Sequence, residues 1–285
     1  MDPHLPQTID AYLARIGADR PARADAEALR ELQGRHLLAV PFENLSIHLG
    51  EDIVLEEAAL LDKVVADRRG GFCYELNGAF AALLRALGFR VTLLQARVHG
   101  EGGRLGIPYD HLALRVETDD GTGPWLADVG FGDHAQLPLA LDDRSQQEDP
   151  RGVFRIAPVP AEGGADHEGG ECGAGQGDLD VLRDGVPQFR LESRPRVLAD
   201  FRAGAWYHRT SPDSSFTRSP VCSRFTPDGR ITLKGRRLLT TVGAERRETP
   251  LDSDADVRAA YREHFGVHLD RLPTEGKVEP SASKG

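Results

Sequence analysis

The chain has 285 residues, 40% of them hydrophobic and 28% charged, the make-up of a soluble globular protein with a full core and about two domains. A net charge of −10 argues against general nucleic-acid binding, because phosphate backbones select basic surfaces. No apolar run approaches the ~20 residues of a membrane span, and Asp2 stands where a secretory leader would carry apolar residues. Three scattered cysteines without a C-x-x-C pair point to a reducing cytoplasm, not to a disulfide framework or a zinc ribbon.

In chain order, the first elements are helical. Ile9, Tyr12, Leu13 and Ile16 make one short apolar face, stopped by Gly17. A second helix, Ala24 to Ala39, groups Leu29, Leu32, His36 and Leu37, and Pro41-Phe42-Glu43-Asn44 breaks it. A third runs from Glu56 to Asp67 with Leu60, Leu61, Val64 and Val65 inward. The basic, glycine-broken run Arg68-Arg69-Gly70-Gly71-Phe72 then enters Cys73. After it Leu76, Phe80, Leu83, Leu84 and Leu87 recur at helical spacing, with Gly88 as the stop. Short connections make residues 1–89 a small bundle. Cys73 begins a helix, where the positive end of the dipole, helped by Arg68 and Arg69, favours thiolate over thiol. The competing reading of Cys73 is a small buried hydrophobe.

Beyond Gly88 the period changes to two. Phe89, Val91 and Leu93 alternate, as do Leu112, Leu114 and Val116, then Trp125, Ala127 and Val129 across the turn cluster Thr118 to Gly123. Val153 to Ile156, Asp180 to Arg183 and Val186 to Leu191 follow, the last two split by Asp184-Gly185, a hairpin signal. Residues 90–195 are therefore a β-rich domain. Within it, 161–178 is rich in Gly, Glu and Asp and reads as a mobile surface insertion that exposes Cys172. Residues 196–272 mix a helix (Val197 to Tyr207), strands (Val221 to Phe225 and Arg230 to Val242) and a final helix (Ser253 to Phe265) ended by Gly266. Residues 273–285 read as a disordered tail.

A reactive cysteine needs a base, and the base an orienting group. Folding the hairpin about Asp119-Asp120 sets His111 directly opposite Asp128, at the separation of cross-strand neighbours. The other face (Leu112, Leu114, Val116, Trp125, Ala127) is apolar and packs on a core, so His111 and Asp128 occupy a polar face. The plainer readings are a surface histidine and a turn-capping aspartate, and the register rests on a two-residue loop. A Cys-His-Asp zinc site lacks a fourth ligand, and neither a Walker loop nor a G-x-G-x-x-G turn opening a helix is present. Gly130-Phe131-Gly132-Asp133 is a short glycine loop whose N–H groups can approach a carbonyl or phosphate.

At these residues the chain resembles the arylamine N-acetyltransferase family. Arg69-Gly70-Gly71-Phe72-Cys73-Tyr74-Glu75 matches its R-G-G-x-C-x-E signature, and Pro41-Phe42-Glu43-Asn44-Leu45 its P-F-E-N motif. Asp110-His111-Leu112, Asp128-Val129-Gly130-Phe131-Gly132 and Ser211 to Phe216 resemble later segments, so the likeness covers Ile9 to Phe265. It implies an α+β fold: a helical bundle, a central β-barrel and a C-terminal α/β lid, with a cysteine-protease-like catalytic core. It implies a triad of Cys73, His111 and Asp128, without a metal. It also implies acetyl transfer from acetyl-CoA through a cysteine thioester to an arylamine, arylhydrazine or arylhydroxylamine. By resemblance Phe42, Phe131 and Phe216 shape the acceptor site, and Ile107, Pro108, Gly130, Gly132, Ser214 and Ser215 lie near CoA. Lys234-Gly235-Arg236-Arg237 is either a phosphate contact or a solvated strand end. Glu75 and Arg69 are read as a structural charge pair. The implied partners are small molecules, not nucleic acid or membrane, and the chain a monomer or homodimer. Competing activities are an amide synthase acting on a polyketide chain, a cysteine peptidase or transglutaminase, and a non-catalytic CoA or aromatic-ligand binder.

Overall fold

The apolar faces read along the first segment close on one another. The structure, a computed structural model, describes residues 5–159 and 177–274. Helix α1 (Leu5–Ile16) buries Ile9, Tyr12, Leu13 and Ile16. Helix α2 (Ala26–Ala39) starts at Asp25, whose side chain accepts from the Ala28 N–H, a common N-cap. The Pro41-to-Asn44 segment is more than a break. It forms a two-residue strand, β1 (Phe42–Glu43), and leads into an unforeseen short helix, α3 (Leu45–Leu49). Helices α4 (Glu57–Val65) and α5 (Cys73–Ala86) follow. Helix α5 is buried along most of its length, so packing rather than propensity holds it.

Eight antiparallel strands come next: β2 (Arg90–Val98), β3 (His111–Glu117), β4 (Trp125–Ala127), β5 (Leu139–Ala140), β6 (Gln147–Asp149), β7 (Gly152–Pro158), β8 (Leu179–Arg183) and β9 (Val186–Arg196). They lie in the order β5-β4-β3-β2-β9-β8-β7-β6. The sheet rolls until its edges meet. The Gln147 amide on β6 donates to the Ala140 carbonyl on β5 (3.0 Å) and accepts from the Ala140 N–H (2.7 Å), a side chain standing in for a ladder. Asp184 and Gly185 both take positive φ (50° and 79°), as the tight turn between β8 and β9 requires. Residues 160–176, including Cys172, lie outside the described residues, as do 275–285.

One helix, α6 (Arg202–Thr210), preceded by a 3₁₀ turn, leads to β10 (Val221–Thr226), β11 (Gly229–Lys234), β12 (Arg237–Val242), β13 (Glu245–Pro250) and α7 (Asp254–Phe265). The single strand expected from Arg230 to Val242 is two, folded at Gly235 with φ 55°. The second sheet, β1-β10-β11-β12-β13, takes its first strand from the N-terminal segment. Thr274, within the expected tail, is among the described residues, and its N–H donates to the His48 carbonyl (3.2 Å). Among the described residues no helix is long and apolar enough to cross a membrane.

The polar residue of the α2 face carries a pH consequence. His36 is fully buried against Tyr12 and Phe80, with the Tyr12 hydroxyl 3.1 Å from Nδ1. Burial, then Arg15, lowers it from 6.5 to about 3. Burial lowers His134 to about 4. Both bind a proton more readily in the unfolded chain, so stability is complete above pH 6.5 and falls as pH drops toward these values. His36 alone is worth up to about 5 kcal/mol at 1.36 kcal/mol per pKa unit. Thermal midpoints measured from pH 7 to 4 are expected to fall steeply, and His36→Gln is expected to flatten the slope.

Candidate active site

Two sequence motifs meet at the start of α5. The Glu43 N–H donates to the Gly71 carbonyl at 2.8 Å, so β1 runs against the Gly70-Gly71 segment. A Cβ on Gly70 would sit 1.8 Å from the Pro41 carbonyl oxygen, a contact no side chain allows. Beneath lies a buried charge network. Arg69 Nε donates to Glu43 Oε1 (2.9 Å) and Nη1 to Glu51 Oε2 (3.3 Å), while Lys63 Nζ donates to Glu75 Oε1 (2.5 Å). Arg69 and Glu75 therefore belong to one cluster but pair with other residues, not with each other. Arg69 is spent on carboxylates and is not a free cation beside Cys73. Glu75 Oε2 also accepts from the Phe72 N–H (3.2 Å), covering an end-of-helix donor that Phe72 itself cannot cap.

This packing holds Cys73 at the first position of α5, 4% exposed. His111 opens β3 and Asp128 follows β4. His111 Nε2–H donates to Asp128 Oδ2 at 2.6 Å, and Cys73 is near enough to favour the protonated ring. The ladder differs from the expected one: Leu114 pairs with Ala127 and Val116 with Trp125. His111 is thus diagonal to Asp128 rather than directly opposite. The slip is by two residues, so parity, and with it the shared face, survives. That face is not solvated. Leu112, Leu114, Val116 and Ala127 pack on the helices, while Ala113 and Leu126 join Phe154, Phe189 and Leu191 inside the barrel. His111 and Asp128 are 2% and 3% exposed.

Burial alone would lower His111, but the Asp128 charge and hydrogen bond, with Cys73, raise it from 6.5 to about 10. Burial pushes Asp128 up, and His111 outweighs it, leaving the carboxyl below its ordinary value. Asp128 Oδ1 accepts from Asn77 Nδ2 (2.8 Å) and from the N–H groups of Gly130 (2.8 Å) and Phe131 (3.1 Å). A base oriented by a carboxylate and touching a thiol is suited to nucleophilic chemistry. Among the described residues no cluster of three metal-ligating side chains is assembled.

The remaining site residues separate into groups. Phe42 and Phe216 are neighbours (ring centroids 6.0 Å apart), and Phe72 stands 5.4 Å from Phe216. Phe131 meets His111 edge to face at 5.2 Å. Ile107, Pro108, Ser214 and Ser215 line one cleft of about 670 Å³ that also includes Asp110 and His208. Asp110 links it to the cysteine, since the Cys73 thiol faces its carbonyl at 3.9 Å. Gly130 and Gly132 are not in that lining. The N–H of Gly130 is turned to Asp128, not outward to a phosphate, and a Cβ there would lie 2.6 Å from Cys73 Cα. Gly132 packs on Phe42. Lys234-Gly235-Arg236-Arg237 borders another cleft of about 600 Å³, with Arg236 paired to Asp254 and Arg237 to Glu248.

Sequence reasoning missed three supports. Asn77, fully buried one turn after Cys73, also donates to the Leu112 carbonyl (2.6 Å) and accepts from the Val129 N–H (2.9 Å). Its signal was a polar residue inside an apolar helix. Gln33 Oε1 accepts from the Asp128 N–H (3.2 Å). Asn44 Nδ2 donates to the carbonyls of Phe216 (2.9 Å) and Ser219 (3.0 Å), fixing the turn that carries Phe216.

The N-acetyltransferase family model matches residues 25–273. A Gallus gallus arylamine N-acetyltransferase, pineal gland isozyme NAT-3, is 34% identical over 92% of this chain and 95% of its own. The crystal structure of the Nocardia farcinica arylamine N-acetyltransferase superposes with a TM-score of 0.78 at 35% identity, covering 92% of this chain and 89% of that one. The Mycobacterium marinum arylamine N-acetyltransferase, solved in complex with CoA, gives a TM-score of 0.77 at 29% identity over 91% and 92%. A match of this breadth in sequence and in fold places the chain in the arylamine N-acetyltransferase family, as an acyltransferase.

Proposed function

We propose that the chain transfers an acetyl group from acetyl-CoA to an arylamine, arylhydrazine or arylhydroxylamine through a thioester on Cys73. The observation that carries this reading is the Cys73–His111–Asp128 relay, joined through Asp110 to the 670 Å³ cleft. His111, raised to about 10, carries its proton at neutral pH beside Cys73. The Cys73 sulfur attacks the thioester carbonyl as the thiolate, the donor C–S bond breaks, and CoA leaves as its thiol with the proton of His111. The amine then attacks the Cys73 thioester, the acyl–sulfur bond breaks to return the Cys73 thiolate, and the neutral His111 left by the first step takes the amine's proton, while Asp128 fixes the imidazole's orientation. Phe42, Phe131 and Phe216 present apolar faces to the aromatic acceptor. The donor enters along Ile107, Pro108, Ser214 and Ser215, with the segment after residue 195 as the lid over the bundle and the barrel. The CoA-bound Mycobacterium marinum relative supports the choice of donor.

Initial rates with acetyl-CoA and a panel of aromatic amines and hydrazines, with CoA release recorded, test the reading. Amine-dependent CoA release with parallel double-reciprocal lines is expected. Release from none of the panel, with a carrier-bound acyl chain as the sole accepted donor, would instead indicate an amide synthase.

A further inference from the structure

A second hydroxyl–imidazole–carboxylate set borders the donor cleft. Helix α6 carries His208, 7% exposed, whose Nδ1 lies 3.2 Å from the Ser214 hydroxyl. Its Nε2 stands 3.2 Å from Asp110 Oδ1, but outside the line of a hydrogen bond, so this buried nitrogen is a close neighbour of the carboxyl without a hydrogen-bond partner. Asp110 is the most open member, its side chain 14% exposed. Its Oδ2 accepts from the Val98 N–H at 3.2 Å. All three residues line the same cleft.

The imidazole is clamped from other directions as well. Its ring meets Phe216 at 5.0 Å, Tyr207 at 5.5 Å, Tyr74 at 6.0 Å and Phe72 at 6.2 Å. The backbone it bears on is strained: Tyr109, a non-glycine residue, takes φ 61° directly before Asp110 and His111. Tyr74 Oη–H donates to the Tyr109 carbonyl at 2.5 Å and the Tyr109 N–H donates to Gln95 Oε1 at 2.8 Å. This strained, pinned segment presents the Asp110 carboxylate to the cleft. An acceptor held there suits an amide N–H of a ligand's arm.

We propose that His208 is a positioning residue for the acyl donor, fixing the Asp110 carboxylate and Ser214 hydroxyl so that Asp110 accepts from an amide N–H of a pantetheine arm. The inference rests on the acyltransferase reading above. Pantetheine is common to CoA and to acyl-carrier domains, so the probes separate the two sources. Acylation of Cys73 is measured with acetyl-CoA, with an acetylated carrier domain, with S-acetyl-N-acetylcysteamine, which keeps only the terminal amide, and with p-nitrophenyl acetate, which has no arm. His208→Phe preserves the ring contacts and removes both polar ones. It is expected to lower kcat/KM for acetyl-CoA and for the cysteamine thioester by about 10- to 100-fold, and for p-nitrophenyl acetate by less than about 3-fold. Asp110→Asn is expected to give the same selective loss, and the double variant no further loss, because the two act as one unit. His208→Gln is expected to restore part of the activity. Equal losses with every donor would overturn the proposal, because His208 would then serve the nucleophile itself; so would an unchanged kcat/KM for acetyl-CoA. Failure of the parent protein to be acylated by any donor would instead remove the acyltransferase reading.

Discussion

Cys73→Ala is expected to eliminate the acetyl adduct and to cut turnover by at least about 10⁴-fold, because no other group at the site can form the covalent intermediate. The fold is expected to survive. The change removes one sulfur from a packed cluster, at a cost of about 1 kcal/mol, and leaves His111 bonded to Asp128. Intact-mass spectrometry after acetyl-CoA, followed by peptide mapping, checks both protein forms. In the parent, the adduct is expected on the peptide holding Cys73 and absent from the one holding Cys222. Cys222 is fully buried in the C-terminal core, and burial, then Glu43, pushes its thiol well above the ordinary value. It remains a protonated, inert thiol at neutral pH. An acetylated Cys73→Ala chain with normal turnover would remove Cys73 from the mechanism.

What could be read in advance, and what could not, divides along physical lines. The helix starting at Cys73 was legible because a glycine break and a 3.6-residue apolar period coincide there. The face shared by His111 and Asp128 was legible because strand alternation fixes parity. Register was not, since nothing in the alternation distinguishes a slip of two. The turn is set by side-chain bonds: Asp120 Oδ1 accepts from Thr118 Oγ1 (2.7 Å) and from the Thr122 N–H (3.1 Å), widening the loop beyond Asp119-Asp120. The polar face was legible, but its burial was not, because Asn77 and Gln33, which also bind Asp128, come from helices distant in sequence. Strand β13 left no trace, because Glu245 to Pro250 is exposed throughout and carries no apolar alternation. Strand β1 owes its existence to Cys222 and Ser223, far along the chain. The glycine at position 130 has a packing reason that the sequence did not show: its absent side chain makes room for the backbone of Cys73.

Asp128→Asn is expected to keep the fold and lose about 10⁴-fold in turnover, comparable to removing the orienting carboxylate in other triads. The reason is directional. With its amide oxygen in place of Oδ1, the new side chain still accepts from Asn77, Gly130 and Phe131. Its NH₂ group then points at His111 Nε2, which must become an acceptor, so the ring proton moves to the nitrogen facing Cys73. The sulfur loses its base. The pH profile separates this from a simple packing fault. In the parent, the fold favours protonated His111: that contribution to stability is complete below pH 6.5 and is lost as pH rises through about 10. The alkaline limb of Cys73 acylation belongs near the upper value. Without the Asp128 charge, burial dominates His111 as it dominates His134, and the protonated ring is lost below pH 6.5. Acylation by acetyl-CoA measured from pH 5 to 11 is therefore expected to show the alkaline limb displaced downward by several units. An Asp128→Asn protein with the parent's profile and activity within tenfold of it would leave Asp128 as a turn-capping residue and the Cys73–His111 pair without an orienting group.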